Sequence, residues 1–263
     1  MNQYMTERRL CWCYSILAVC MSISVICIAI PYNHWKTTLD VCPGGYFENT
    51  NCGCVLFGLS TTQYFDGGHN SYCLYAIFAL LPLIVYAIVM AVFHMYRVCI
   101  NNKGQYVDEK TTSVEEVEGE VIVVRSRAKL SKENDAIIYC WIPTSCIAGI
   151  FFLYNLVHAA ITTDGFLRTC NQYKGHLVQK LPASGNHASV IHFRLTCQAV
   201  FDFMDYLLVN APNSRRNETI NTGSSLQIAI ICSWISVVIW IIIVVFTARR
   251  AYNERDVLTC CGN

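Results

Sequence analysis

Four uninterrupted apolar runs, at residues 10–30, 74–93, 137–161 and 226–246, constrain this chain more than any other feature. About twenty helical residues, each rising about 1.5 Å, cross the roughly 30 Å hydrocarbon layer of a bilayer. None of the four runs contains Asp, Glu, Lys or Arg. A backbone in lipid must satisfy its own hydrogen bonds, so each run is predicted to be a membrane-spanning α-helix. Composition agrees: 54% of the residues are hydrophobic and only 14% are charged, poor in charge for a soluble chain.

Basic residues beside the spans set the predicted orientation, because short loops rich in Lys and Arg stay cytoplasmic during insertion. Arg8 and Arg9 precede the first span, and Arg97 and Lys103 follow the second. Lys129 and Lys132 precede the third, and Arg249, Arg250 and Arg255 follow the fourth. The loop after the first span has Lys36 as its one Lys or Arg, which puts it outside. The expected class is therefore an all-α membrane protein, a four-transmembrane-helix bundle with both termini cytoplasmic. The N-terminus is residues 1–9, and the spans are 10–30, 74–96, 137–161 and 226–247. Extracellular loops occupy 31–73 and 162–225, a cytoplasmic loop 97–136, and the tail 248–263. The first run is longer than a signal-peptide core of about 7–15 residues and lacks an Ala-x-Ala-like site, so it reads as a retained span. Asn217-Glu218-Thr219 fits a glycosylation acceptor, which functions only on the lumenal side, and makes Asn217 a candidate glycan site.

Topology sorts the 16 cysteines into chemically different groups. Cys42, Cys52, Cys54, Cys73, Cys170 and Cys197 face outside, where an even number in an oxidising compartment reads as disulfides. Pairing Cys170 with Cys197 is favoured, as the one arrangement internal to the second loop. A bridge closing about 28 residues contributes roughly 3–4 kcal/mol by the chain-entropy argument. Cys54 with Cys73 and Cys42 with Cys52 would complete one set among the several that six cysteines allow. A zinc site from Cys52, Cys54 and His69 is the rarer alternative outside the cell. Cys11, Cys13, Cys99, Cys260 and Cys261 lie at cytoplasmic membrane edges or in the tail and are candidates for S-palmitoylation.

Polar groups inside the spans are few. The third span carries Asn155 and His158, three residues apart on one helix face. Placed near its outer end, they are expected to cap the helix or bond a neighbour at the interface. No span has an acidic or basic residue at its centre, which argues against a proton relay, a voltage sensor or an ion-coupled transporter. Pro82 and Pro143 should kink their spans, and Ser145-x-x-x-Gly149 and Ala87-x-x-x-Ala91 offer small faces for close helix packing within the bundle. In the second outer loop, residues 192–210 have the spacing of an amphipathic helix that packs on the bundle. His176, His187 and His192 lack metal-ligand spacing and read as solvated. The loop from 100 to 135 turns from acidic and mobile to basic, where it can lie against anionic lipid. No phosphate-cradling glycine loop, His-Glu-x-x-His or nucleophile elbow occurs, so the chain reads as non-enzymatic, with no cofactor or metal expected.

Taken in order, several short pieces resemble the transmembrane protein 179 family of four-pass proteins. They are Cys13 and Ile30-Pro31 around the first span, Cys54-Val-Leu-Phe57, Cys73 opening the second span, and His94-x-x-Arg97-x-Cys99 after it. Gly165-Phe166-x-x-x-Cys170, Cys197, Trp234 and Tyr252-Asn253-x-Arg255-Asp256 follow. Cys42 and Cys52 are additional to that pattern, and the cytoplasmic loop is longer. The resemblance implies the same topology and pairing of Cys54 with Cys73 and Cys170 with Cys197, and implies no activity. The expected function is an auxiliary subunit or scaffold in a bilayer, binding a receptor, channel or adhesion protein and not nucleic acid, in the plasma membrane rather than an internal one. Two alternatives stand beside it. One is a large-pore channel subunit of the calcium homeostasis modulator or connexin kind, which would be a homo-oligomer. The other is a claudin- or tetraspanin-like organiser, although the claudin Gly-Leu-Trp is missing near Trp35 and Cys-Cys-Gly occurs only at 260–262.

Overall fold

A computed structural model describes residues 3–39, 52–60, 65–101, 115–117, 120–122, 134–182, 184–206 and 220–261. It is mostly helical, and four of its helices are long and apolar enough to cross a membrane. In chain order they are α1 (Gln3–Leu39), the pair α2 (Asn70–Phe78) and α3 (Leu81–Tyr96), α4 (Asn134–Lys180) and α7 (Thr222–Cys261). Two short helices, α5 (Asn186–Phe193) and α6 (Cys197–Tyr206), lie between α4 and α7. The all-α expectation is corrected in one respect. Strand β1 (Cys54–Ser60) pairs antiparallel with β2 (Phe65–Gly68), and the acidic stretch holds a second short pair, Glu115–Val117 with Glu120–Ile122.

Three helices run on past the apolar runs. At 47 residues, α4 is about 70 Å long, more than twice the hydrocarbon thickness. Its extension is amphipathic: Phe166, Cys170, Tyr173 and Leu177 recur every three or four residues and are buried. The same holds for α1 beyond Pro31, where Tyr32, Trp35 and Leu39 turn inward. The second apolar run is instead broken. Pro82 lacks the amide that a continuous helix needs, and it sits at the second position of α3, where a missing donor is tolerated. Pro143 lies inside α4 without ending it.

The chain divides into two compact units. One comprises Met1–Ala18, Val85–Phe152 and Ile239–Asn263, and the other Val19–Ile84 and Leu153–Val238. The second unit is built around a core that includes Trp35, Leu56, Phe65, Tyr173, Phe201 and Leu226. Disulfides Cys54–Cys73 and Cys170–Cys197 staple it, with Cα–Cα distances of 5.6 and 5.5 Å. Cys52 is disulfide-bonded as well, and Cys42, its expected partner, lies outside the described residues. These bonds consume the thiolates that a zinc site at Cys52 and Cys54 would require, and His69 instead accepts the Ser71 amide as the cap of α2. Phe57 adopts φ 60° within the bulge of β1, and β1 and β2 approach so closely that a Cβ on Gly68 would meet the Leu56 oxygen at 2.0 Å.

A polar relay fixes α7 in this unit. The Trp35 indole donates to Thr222 Oγ1 at 2.8 Å, and that hydroxyl donates to Asp205 Oδ1 at 2.6 Å. The Thr222 amide donates to Asp205 Oδ2 at 2.8 Å, so a carboxylate from α6 caps the first turn of α7. Burial pushes the Asp205 carboxyl above the usual carboxylate range, against the pull of its two Thr222 bonds. Asp205→Ala should therefore lower stability by about 0.5–2 kcal/mol, as loss of a helix cap does. Asp205→Asn keeps an acceptor without a buried charge and should change it less, as thermal unfolding of the two variants would show.

Candidate functional site

The start of α1, in the first unit, carries a buried charged cluster. Glu7, four residues into the helix, is 2% exposed and receives three donors, two of them guanidiniums. Arg97 and Arg250 each place Nη1 3.0 Å from Glu7 Oε1, and His94 Nδ1–H donates to Oε2 at 2.5 Å. His94 sits in the last turn of α3 and Arg97 opens the π-helical turn Arg97–Asn101, three residues on and thus beside it. Trp141 of α4 closes the cluster, its ring 4.1 Å from the Arg250 guanidinium and 5.9 Å from that of Arg97. The His94 ring stacks on Tyr14 at 5.6 Å. The Glu7 carboxylate thereby ties α1 to α3, its π-helical turn and α7, and the two guanidiniums reach α4 through Trp141. With two guanidiniums on a single oxygen and no nucleophile among these contacts, the chemistry is that of a buried ion cluster, which fixes helix positions.

In the second unit, His158 and Asn155 are fully buried within the protein, and His158 Nε2 donates to the Ala76 carbonyl of α2 at 2.9 Å, a bond to a neighbouring helix as expected for it. The helix continues some twenty residues beyond them. His176, expected in solvent, is also buried, packed 5.8 Å from Tyr173 and 6.1 Å from Phe65, whereas His187 and His192 are exposed. The 192–210 segment divides. Val200, Phe201 and Met204 of α6 are buried, with Phe201 stacked on Phe166 at 5.1 Å, and residues 207–210 lie outside the described residues. A groove of about 270 Å³ on this unit is lined by Phe57, Gly58, Leu59, Arg168, Asn171 and Gln172.

Of the residues singled out as acylation candidates, Cys99 is exposed and Cys11 and Cys13 are half-buried, all three with free thiols. Cys260 and Cys261 end α7, with their side chains outside the described residues, as is Asn217. Ala87 is buried in the first unit, but nothing lies within 4 Å of where a Cβ on Gly149 would stand, so that small face is open rather than packed. Among the described residues no group of three or more His, Cys, Asp or Glu is arranged to hold a metal ion.

Sequence reasoning missed Glu7 and Asp205. Glu7 is the one acid beside Arg8-Arg9, and His94-x-x-Arg97 shares a face with no other acid near it. Asp205 follows Phe201 by four residues, on the face that α6 buries. Four spanning helices with a disulfide-bonded unit define a multi-pass helical membrane protein. No family model matches the chain, and no curated protein or solved structure matches it.

Proposed function

We propose that this chain is a non-enzymatic four-pass protein of the plasma membrane, with both termini cytoplasmic, that serves as an auxiliary subunit or scaffold for a partner membrane protein. Membership of the transmembrane protein 179 family belongs to the same proposal. Disulfides persist in oxidising compartments, and both described bridges fall in the two loops that the distribution of Lys and Arg assigns to the outside.

The observation that carries the reading is α5. This helix has no buried residue, yet Val190 and Phe193 are 51% and 84% exposed, in a segment outside the apolar spans. Such exposed side chains add little to the core and suit a partner's pocket, where aromatic anchors dominate binding. The helix is nevertheless held in place. Lys174 Nζ donates to the His192 carbonyl at 3.3 Å, and Cys170–Cys197 anchors the chain just beyond it.

The test is native mass spectrometry of the full-length protein, purified from its own cells in mild detergent with and without crosslinking. A defined complex with a second membrane protein is expected, reduced about tenfold or more in Val190→Ser/Phe193→Ser, equivalent to about 1.4 kcal/mol. The variant should keep the thermal stability of the parent. A symmetric ring of roughly six or more copies, or a complex indifferent to the two substitutions, would overturn the reading in favour of a pore or of another surface.

A further inference from the structure

We infer that the break in the second apolar run, together with Asn155 and His158, forms a binding site for one neutral molecule that both donates and accepts hydrogen bonds, and that this molecule is water. The break is the starting point. Between α2 and α3, at Ala79 and Leu80, the helical hydrogen-bond ladder is interrupted in the middle of an apolar run, although Ala79 keeps helical dihedrals and its amide still donates to the Tyr75 carbonyl. The two residues are 7% and 0% exposed. Backbone polar groups released from the helical ladder at membrane depth are tolerated only where protein or water serves them. Pro82 has no amide to offer the Phe78 carbonyl one turn earlier. Protein serves one carbonyl here: His158 Nε2 lies 2.9 Å from the Ala76 oxygen.

That bond determines the rest of the imidazole. A carbonyl only accepts, so the proton is on Nε2, and Nδ1 of the neutral ring presents a lone pair. Nδ1 is buried with no hydrogen-bond partner among the described residues. Asn155, three residues earlier on the same face of α4, is 0% exposed, and both its Oδ1 and its Nδ2 lack partners there. Buried polar atoms are almost always bonded, and an amide unserved at both ends one helical turn from an unserved imidazole nitrogen is an exception that a ligand explains.

The donors and acceptors select that ligand. Nδ1 and Oδ1 require donors, and Nδ2–H₂ requires an acceptor. An anion would face two lone pairs, and a cation would face the amide protons. A molecule with two O–H donors and one accepting oxygen satisfies all three, and buried waters characteristically make two to four such bonds. The same molecule keeps a broken helix tolerable in apolar surroundings, which is how discontinuous spans elsewhere hold polar guests.

The test uses the full chain, labelled with ¹⁵N-Asn and ¹⁵N-His, in nanodiscs of lipid with deuterated tails. Water-selective magnetisation transfer should reach the Asn155 side-chain amide, and the His158 Nδ1 shift should report an unprotonated nitrogen that accepts a hydrogen bond. An Asn155 amide silent to water, or reached from lipid signals instead, overturns the proposal. Stability gives a second sign. If water bridges the pair, Asn155→Leu strands His158 Nδ1 and lowers Tm by about 2–4 °C. A dry, unserved Asn155 predicts the opposite, because Leu would remove two orphaned polar atoms and raise Tm.

Discussion

Glu7→Gln is expected to be the most destabilising single substitution in the first unit, lowering stability by about 3–5 kcal/mol. The magnitude follows from what remains. Arg97 and Arg250 are each only 11% exposed and share one oxygen of a carboxylate that is itself 2% exposed. A neutral amide keeps the shape of Glu7 but removes the carboxylate charge that both guanidiniums share in this largely buried setting. An exposed ion pair would contribute at most about 1 kcal/mol, so the measured loss separates a buried cluster from a surface one. Thermal unfolding in detergent or nanodiscs is the measurement, and a loss under about 1 kcal/mol would refute the assignment. The pairing predicts non-additivity too. Arg250→Gln made together with Glu7→Gln should cost less than the sum of the two, with a coupling of about 0.5–3 kcal/mol. His94 adds a geometric demand. Its Nδ1–H donates to Oε2, the oxygen that neither arginine uses, so Glu7→Asp, with one methylene less, cannot reach all three donors.

The four spans were legible because hydropathy is additive: some twenty residues without a formal charge signal a helix in lipid whatever their order. Where the helices stop was not legible from the same quantity. Thr162-Thr163-Asp164-Gly165 ends the apolar run in α4, but the helix continues because its buried face resumes at Phe166 and repeats through Leu177. Asn155 and His158 are buried within the protein although the apolar run ends only three residues after His158. Glu7 was hidden by its neighbours. Beside Arg8 and Arg9 it reads as part of a solvated flank, and only the tertiary fold brings His94, Arg97 and Arg250 to it from two other helices. The cysteines were more readable, since compartment and loop membership restrict which thiols can meet. The structure holds both Cys54–Cys73 and Cys170–Cys197.

Removing the Cys170–Cys197 bridge, by the double substitution Cys170→Ser/Cys197→Ser, should lower stability by about 3–4 kcal/mol. The bond links positions 27 residues apart, so in the unfolded chain it closes a loop of moderate length, and its loss returns that conformational freedom. Its effect on the native state should be local. α5 has no fully buried residue and meets the core through the partly buried Ile191, while α6 keeps Val200, Phe201 and Met204 in the core. Hydrogen exchange should therefore show α5 losing protection first and α6 following, because local opening starts where buried apolar contacts are fewest. Amides around Glu7 belong to the other unit and are expected to keep their protection. The double substitution is preferred to either single one, which would leave a thiol free to exchange with Cys54 or Cys73. Cys54→Ser/Cys73→Ser should cost a similar amount for its 19-residue separation, but its losses should fall on β1, β2 and the start of α2. If both double variants lost protection in the same places, the two bridges would be stapling one cooperative element, and α5 would owe its position to the whole unit rather than to Cys170–Cys197.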